Sequence, residues 1–223
     1  MTGLIVGSVT PDFEYFLRMR VESVYSHTWL GMFWFDLPLS LALAFIYHSI
    51  IRNSFICNSP LFLKRRLSRY MNFNWTEYFW NNIIKVFICL LVGIATHIFW
   101  DAFTHPRGEF VKMIPLLKES VSFSGVHIPG YRLLQYASTV IGGLIVFYAV
   151  MRIPPASDYA KSNHPFYYWF IVIGTGVVAA NIRVLTGVYF RDYFTVATSA
   201  LSGLIVGLIV APLFLERRPS NRK

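Results

Sequence analysis

The sequence predicts an all-α, multi-pass transmembrane helical bundle of about five spans, with a polar cap at one membrane face. Three observations lead there. Of the 223 residues, 55% are hydrophobic, 17% aromatic and only 14% charged, a balance too apolar for a soluble domain. The apolar residues gather into separate runs of about 20, the length at which a helix crosses a hydrocarbon core roughly 30 Å thick. Those runs are continuous rather than alternating, which excludes a membrane β-barrel.

Taken in order, the first span is expected from Trp29 to Ile51, with Asp36 and Pro38 near its beginning. The second is expected from Trp80 to Trp100. A polar stretch rich in Gly and Pro follows, long enough to cap a bundle, and then a third span from Leu133 to Met151, ended by the Pro154-Pro155 pair that no helix interior tolerates. The fourth runs from Phe166 to Gly187 and carries Asn181 and Arg183 near its end. The fifth, Tyr193 to Leu215, contains no charge. The whole of 1–223 reads as one integral membrane domain without internal repeats. Gly3, Gly7, Gly142-Gly143 and the glycines from Gly203 to Gly207 read as sites of close helix packing. The first residues lack the basic region of a cleavable signal peptide, so insertion is expected to rely on the spans. With only Cys57 and Cys89 present, no disulfide framework is implied.

Orientation follows from Lys and Arg in short loops, which stay on the cytoplasmic side. One side receives Arg52, Lys64, Arg65, Arg66, Arg69, Arg152, Lys161, Arg217, Arg218, Arg222 and Lys223. The other receives Arg18, Arg20, Arg107, Lys112, Lys118, Arg132 and Arg191. This predicts a protein of the inner (plasma) membrane with its N-terminus outside and its C-terminus in the cytoplasm. The net charge of +9 has anionic lipid headgroups as its simplest partner, because its densest cluster, Lys64 to Arg69, lies between two spans; nucleic acid is not expected. Nothing in the sequence specifies a protein partner.

The second span ends in HIFWDAFTH, which places His97 and Asp101 one helical turn apart on one face. His105 lies a turn further on, but Pro106 disfavours helical geometry before it, so the chain should break there and turn His105 back. Imidazole and carboxylate together suit zinc first, with iron or manganese as alternatives. The same face receives GSVTPDFEY, with Asp12 and Glu14, and SHTWLG, with His27. Three segments therefore converge on one side, and polar groups so near lipid are costly unless they serve a purpose. The plainer alternative is a hydrogen-bonded interfacial cap within an aromatic belt that includes Trp100 and Phe103. Asp36 has two readings of equal weight: a carboxylate orienting a ligand histidine, or a salt bridge to Arg183. His48 and His164 read as interfacial residues, and His127 receives no role. No nucleophile elbow, P-loop or dinucleotide fingerprint is present.

These segments carry a resemblance. GSVTPDFEY, SHTWLG and THIFWDAFTH resemble, in order, the GS-x-x-PDFEY, HT-x-x-G and TH-x-x-WD-x-FTH segments of the bacterial membrane-protein family defined by domain of unknown function 4184. The resemblance covers nearly the whole chain and implies membership rather than an activity. More distantly, the Pro-Asp segment, the His segment and the His and Asp four apart are similar to the inner-membrane metal-dependent hydrolases, and the spacing is similar to a helix of zinc-dependent phospholipase C. That analogy implies that Asp12, His27, His97 and Asp101 are metal ligands or their supports, and that His105 is a ligand or proton donor. Members usually begin with a segment containing Ser-His-Pro ahead of the GS-x-x-PD motif, whereas Gly3 follows Met1 by two residues and that histidine is missing; the expectation is an upstream segment missing from the reading frame, the alternative being the loss of one ligand and of the activity with it.

Two functions compete on this evidence. One is a membrane-embedded metal-dependent hydrolase of a lipid or lipid-linked phosphoester, with Asp101 or Glu14 accepting the proton of water and Arg107, Lys112 and Arg132 binding phosphate. The other is a nonenzymatic membrane protein: an ion-binding permease, an assembly factor or a structural bundle. A transporter is disfavoured, since the second, third and fifth spans are almost uncharged through their middles.

Overall fold

A computed structural model describes residues 1–123, 125–159, 164–187 and 192–215. Lys161, Arg191, Arg217, Arg218, Arg222 and Lys223, which entered the orientation reading, lie outside the described residues. Among the described residues the regular structure is helical apart from one antiparallel hairpin, Ser120–Phe123 with Val126–Pro129, in which Val121 pairs with Ile128. Among the described residues five helices are long and apolar enough to cross a membrane, as the hydropathy runs predict, and this architecture fits an integral membrane protein.

The first span is the continuous helix Met32–Asn58, opened by a wide turn over Met32–Asp36 and widened again over Tyr47–Ile51. It starts and ends later than the expected 29–51. Trp29 and Leu30 belong to the loop before it, and Arg52 does not end it. The Arg52 guanidinium folds onto the carbonyls of Phe73 and Met71 at 2.7 and 2.9 Å, so its charge stays in the helix with its donors satisfied. The second span, Ile83–Thr104, begins after Trp80, which belongs to a separate short helix, Trp75–Asn81. It ends at His105, whose extended backbone (φ −112°, ψ 146°) is the break that Pro106 imposes. The third span, Gly130–Met151, has no buried residue. The fourth is Pro165–Leu185, followed by Gly187 at φ +94°, and the fifth is Tyr193–Leu215.

A short helix that hydropathy alone does not isolate, Thr2–Val9, lies along the second span. Gly3 faces Val86 to Leu90 and Gly93 faces Leu4 to Ser8, so the two helices run parallel in near backbone contact. A Cβ on Gly7 would lie 2.3 Å from the Leu90 carbonyl oxygen, and one on Gly93 2.4 Å from that of Leu4. This is the close approach that small residues permit between helices in lipid, where packing rather than water exclusion drives association. Beneath it, Ala44, Trp75, Phe79, Val86 and Leu90 form one buried cluster, and Tyr168, Val172 and Ala211 form another between the fourth and fifth spans. The fifth span also reaches the short helix Phe13–Arg18, in which Glu14 pairs with Arg18. The hydroxyls of Ser202 and Ser199 donate to the carbonyls of Phe16 and Met19 at 2.8 and 3.1 Å, capping that helix at its C-terminal end.

A candidate metal centre at one end of the bundle

Three segments of the chain build the site. The Thr2–Val9 helix turns through Thr10 and Pro11, both fully buried, and presents Asp12. The second span presents His97 and Asp101 from successive turns. The loop between the Phe13–Arg18 helix and the first span presents His27, whose backbone sits in the left-handed region at φ 58°. Such a conformation is unfavourable for a residue with a Cβ and persists only when its surroundings over-determine it.

One ligand atom from each of Asp12, His27, His97 and Asp101 lies within 4.8 Å of the others. Asp101 Oδ2 stands 3.1 Å from His27 Nε2 and 3.3 Å from His97 Nε2; Asp12 Oδ1 is 3.6 Å from each of the same nitrogens. Both Nε2 atoms are buried and neither has an aligned hydrogen-bond partner. Two buried imidazole nitrogens without a hydrogen-bond partner, each within 3.6 Å of two carboxylates, are what a cation between them would satisfy. Behind His97, Nδ1 lies 2.7 Å from the Ser8 carbonyl oxygen. A carbonyl only accepts, so Nδ1 carries the hydrogen and Nε2 is left as the donor atom for a metal. Two imidazoles and two carboxylates in this arrangement can hold a divalent metal ion.

The charges outside the spans fit this picture. Burial pushes the Asp12 carboxyl up, but the His27 and His97 imidazoles 3.6 Å away outweigh it and hold Asp12 at about 2. Burial pulls His27 down, but Asp101 and Asp12 raise it to about 9. Tyr15, driven up to about 12 by burial and by the charges of Asp12, Asp101 and Glu14, keeps its proton. Its ring stacks on His27 at 5.6 Å.

The other expected site residues are placed differently. Glu14 lies behind His27 rather than beside the four ligand atoms. It is 1% exposed, and its two oxygens accept from Arg18 Nε at 2.7 Å and from the backbone amides of Val24, Tyr25 and Ser26 at 2.9, 3.0 and 2.8 Å. Burial opposes its charge, while the Ser26, Val24 and Tyr25 amides and Arg18 hold the carboxyl at about 2. His105 stands one step out, with Nδ1 3.4 Å from Asp101 Oδ1, the oxygen not shared with His27 and His97. Asp36 is fully buried with both oxygens unpartnered. The salt bridge to Arg183 is not formed; the buried Nε of Arg183 is itself unpartnered. Arg107 and Arg132 are exposed, and Lys112 pairs with Glu109. His48 lies toward the opposite end of the first span, stacked on Trp75 and bonded to Thr2. His127 sits in the hairpin opposite Ser122, and His164 precedes the first turn of the fourth span.

Sequence reasoning missed Tyr15, Ser23, Ser26 and the Ser8 carbonyl. Tyr15 closes the GSVTPDFEY segment and Ser26 adjoins His27, so both stood beside residues already singled out. A backbone carbonyl leaves no mark in a sequence.

Neither the curated proteins nor the solved structures yield a match to this chain. A family model does match, over residues 1–213, and its span takes in all four converging residues and every described span except the last two positions of the fifth. By that match the chain belongs to the family described as Domain of unknown function (DUF4184).

Proposed function

We propose that Asp12, His27, His97 and Asp101 hold a divalent cation, zinc before iron or manganese, and that the protein is a membrane-embedded metal-dependent hydrolase acting on a lipid or lipid-linked phosphoester. The observation that carries this reading is the convergence of two buried, unpartnered imidazole Nε2 atoms and two carboxylates within 4.8 Å. A cation bound there supplies Lewis acidity toward a phosphoryl oxygen and acidifies water. The chain's own residues supply the rest. Asp101 uses Oδ2 toward the centre and Oδ1 toward His105, so a proton taken up at Asp101 has an adjacent imidazole to receive it. His105 has the most exposed side chain of the three histidines, at 41%, and exchanges that proton with solvent. Arg107 and Arg132, exposed and without ion-pair partners among the described residues, are available to a phosphate at the mouth.

The substrate class rests on the surroundings of the site. Trp29, Leu30, Phe33 and Trp34, next to His27, are 54–79% exposed, an aromatic and apolar rim that supports a mouth at the level of the headgroups. The basic cluster Lys64 to Arg69 occupies the opposite end, so we assign the metal end to the outer face of the inner membrane. The test is elemental analysis of the detergent-purified protein with turnover of phospholipid and polyisoprenoid-phosphate micelles. Stoichiometric metal and hydrolysis, both lost in His97→Ala, are expected; hydrolysis that survives in His97→Ala sinks the proposal. One observation favours a second, nonenzymatic reading as an ion-binding permease: Asp36 is buried in the first span with two open oxygens. Cation uptake by proteoliposomes that depends on Asp36 would decide for it.

A further inference from the structure

His97 has a carbonyl behind it to fix which nitrogen carries hydrogen. His27 has a serine hydroxyl there instead, with Nδ1 2.8 Å from Ser26 Oγ and 3.2 Å from Ser23 Oγ. A hydroxyl can donate or accept, so by itself it leaves the imidazole undefined. Glu14 resolves the ambiguity. Its carboxylate is surrounded by donors, three backbone amides and the Arg18 guanidinium, and can only accept. Ser26 Oγ lies 2.9 Å from Glu14 Oε2 and Ser23 Oγ 3.0 Å from the same oxygen. The single hydroxyl hydrogen of Ser26 goes to Glu14 directly, or to Ser23 Oγ 2.8 Å away, whose own hydrogen then goes to Glu14; in both arrangements the Ser26 lone pairs face His27 Nδ1.

Resting on the metal reading above, we infer that Glu14 and Ser26 are positioning residues for His27: a carboxylate–hydroxyl–imidazole chain that places hydrogen on Nδ1 and leaves Nε2 to ligate the cation. Sequence reasoning gave Glu14 the role of a base. The chain assigns it a different one, since a carboxylate with both oxygens fully engaged has no position open for a proton from water. The same carboxylate gathers the Val24, Tyr25 and Ser26 amides, folding the loop so that His27 is carried inward at its left-handed backbone. Glu14 thus fixes both where the ligand stands and which of its atoms is available. Partners behind a ligand histidine tune affinity without touching the metal, and their loss weakens binding about tenfold to a hundredfold.

The experiment measures zinc affinity by chelator competition on the full chain in detergent, for the unmodified protein, Ser26→Ala, Ser26→Thr and Ser23→Ala. Ser26→Ala removes the hydroxyl but keeps the backbone bonds to Glu14. It is expected to bind zinc about tenfold to a hundredfold more weakly, while Ser26→Thr, which restores a hydroxyl, recovers most of the loss and Ser23→Ala changes little. Amide exchange at Val24 and Tyr25, which bond Glu14 directly, is expected to stay slow in Ser26→Ala. That readout separates the chain from mere loop order and remains decisive if the threonine methyl prevents folding. Affinity unchanged in Ser26→Ala overturns the inference and leaves the metal centre standing. Affinity lost together with fast exchange at Val24 and Tyr25 also overturns it, by assigning Ser26 to loop structure. No zinc bound by the unmodified protein overturns both.

Discussion

Replacing Gly7 by alanine should weaken the metal centre from a distance. The added Cβ would lie 2.3 Å from the Leu90 carbonyl oxygen and 3.0 Å from its carbon, whereas ordinary contact begins at 3.4 Å. Leu90 is backbone in a continuous span, so the Thr2–Val9 helix must retreat by about 1 Å, a form of overpacking that costs roughly 1–3 kcal/mol. Ser8, the next residue, holds its carbonyl 2.7 Å from His97 Nδ1. A retreat of about 1 Å carries that contact beyond hydrogen-bond range and frees the imidazole to turn. Zinc affinity should then fall about tenfold to a hundredfold, along with the melting temperature. Chelator competition and thermal unfolding in detergent measure both. Gly142→Ala is the matched control: a Cβ there meets nothing within 4 Å, so neither quantity should drop. A Gly7→Ala protein with the zinc affinity and melting temperature of the unmodified chain would refute the argument that helix contact sets the ligand geometry.

Three further outcomes follow from the charges. Glu14 is held at about 2 against an ordinary 4.5, so its stabilisation is present above 4.5 and lost as pH falls toward 2; amide exchange at Val24 to Ser26 should accelerate in that window, and a flat profile would remove Glu14 as the loop's anchor. His27 is raised from 6.5 to about 9, so in the metal-free protein its contribution is complete below 6.5 and lost as pH rises through 9. Zinc binding at neutral pH must therefore expel that proton, and calorimetry in buffers of different ionisation enthalpy should detect the release; zinc binding without it would contradict the ligand role of His27. Asp36→Leu removes a fully buried, unpartnered polar group and should raise the melting temperature of the metal-free protein by the equivalent of about 1–3 kcal/mol, whereas a lower one would mean that Asp36 has a partner in the membrane.

The five spans were legible because apolar runs of membrane length have few alternative readings, and the convergence of four residues because His97 and Asp101 share a helix face while Asp12 and His27 lie in polar segments at the same end. Pro106 correctly placed the break at His105. The end of the first span was not legible: a charged Arg52 reads as a boundary until the distant carbonyls of Met71 and Phe73 are brought to it. Nor was the position of Glu14, since the amides that surround it come from a loop whose path no periodicity encodes. Asp36 and Arg183 looked like complementary charges at similar depth, yet depth does not set the direction in which a helix faces.

The left-handed backbone at His27 has a consequence for laboratory evolution. Glycine or asparagine would adopt φ 58° with less strain, so at this position backbone comfort and ligand chemistry pull toward different amino acids. A library selected only for expression or heat resistance should drift to glycine or asparagine at position 27, with improving yield and vanishing zinc. One selected for zinc retention should hold histidine and accumulate its compensating changes elsewhere in the loop.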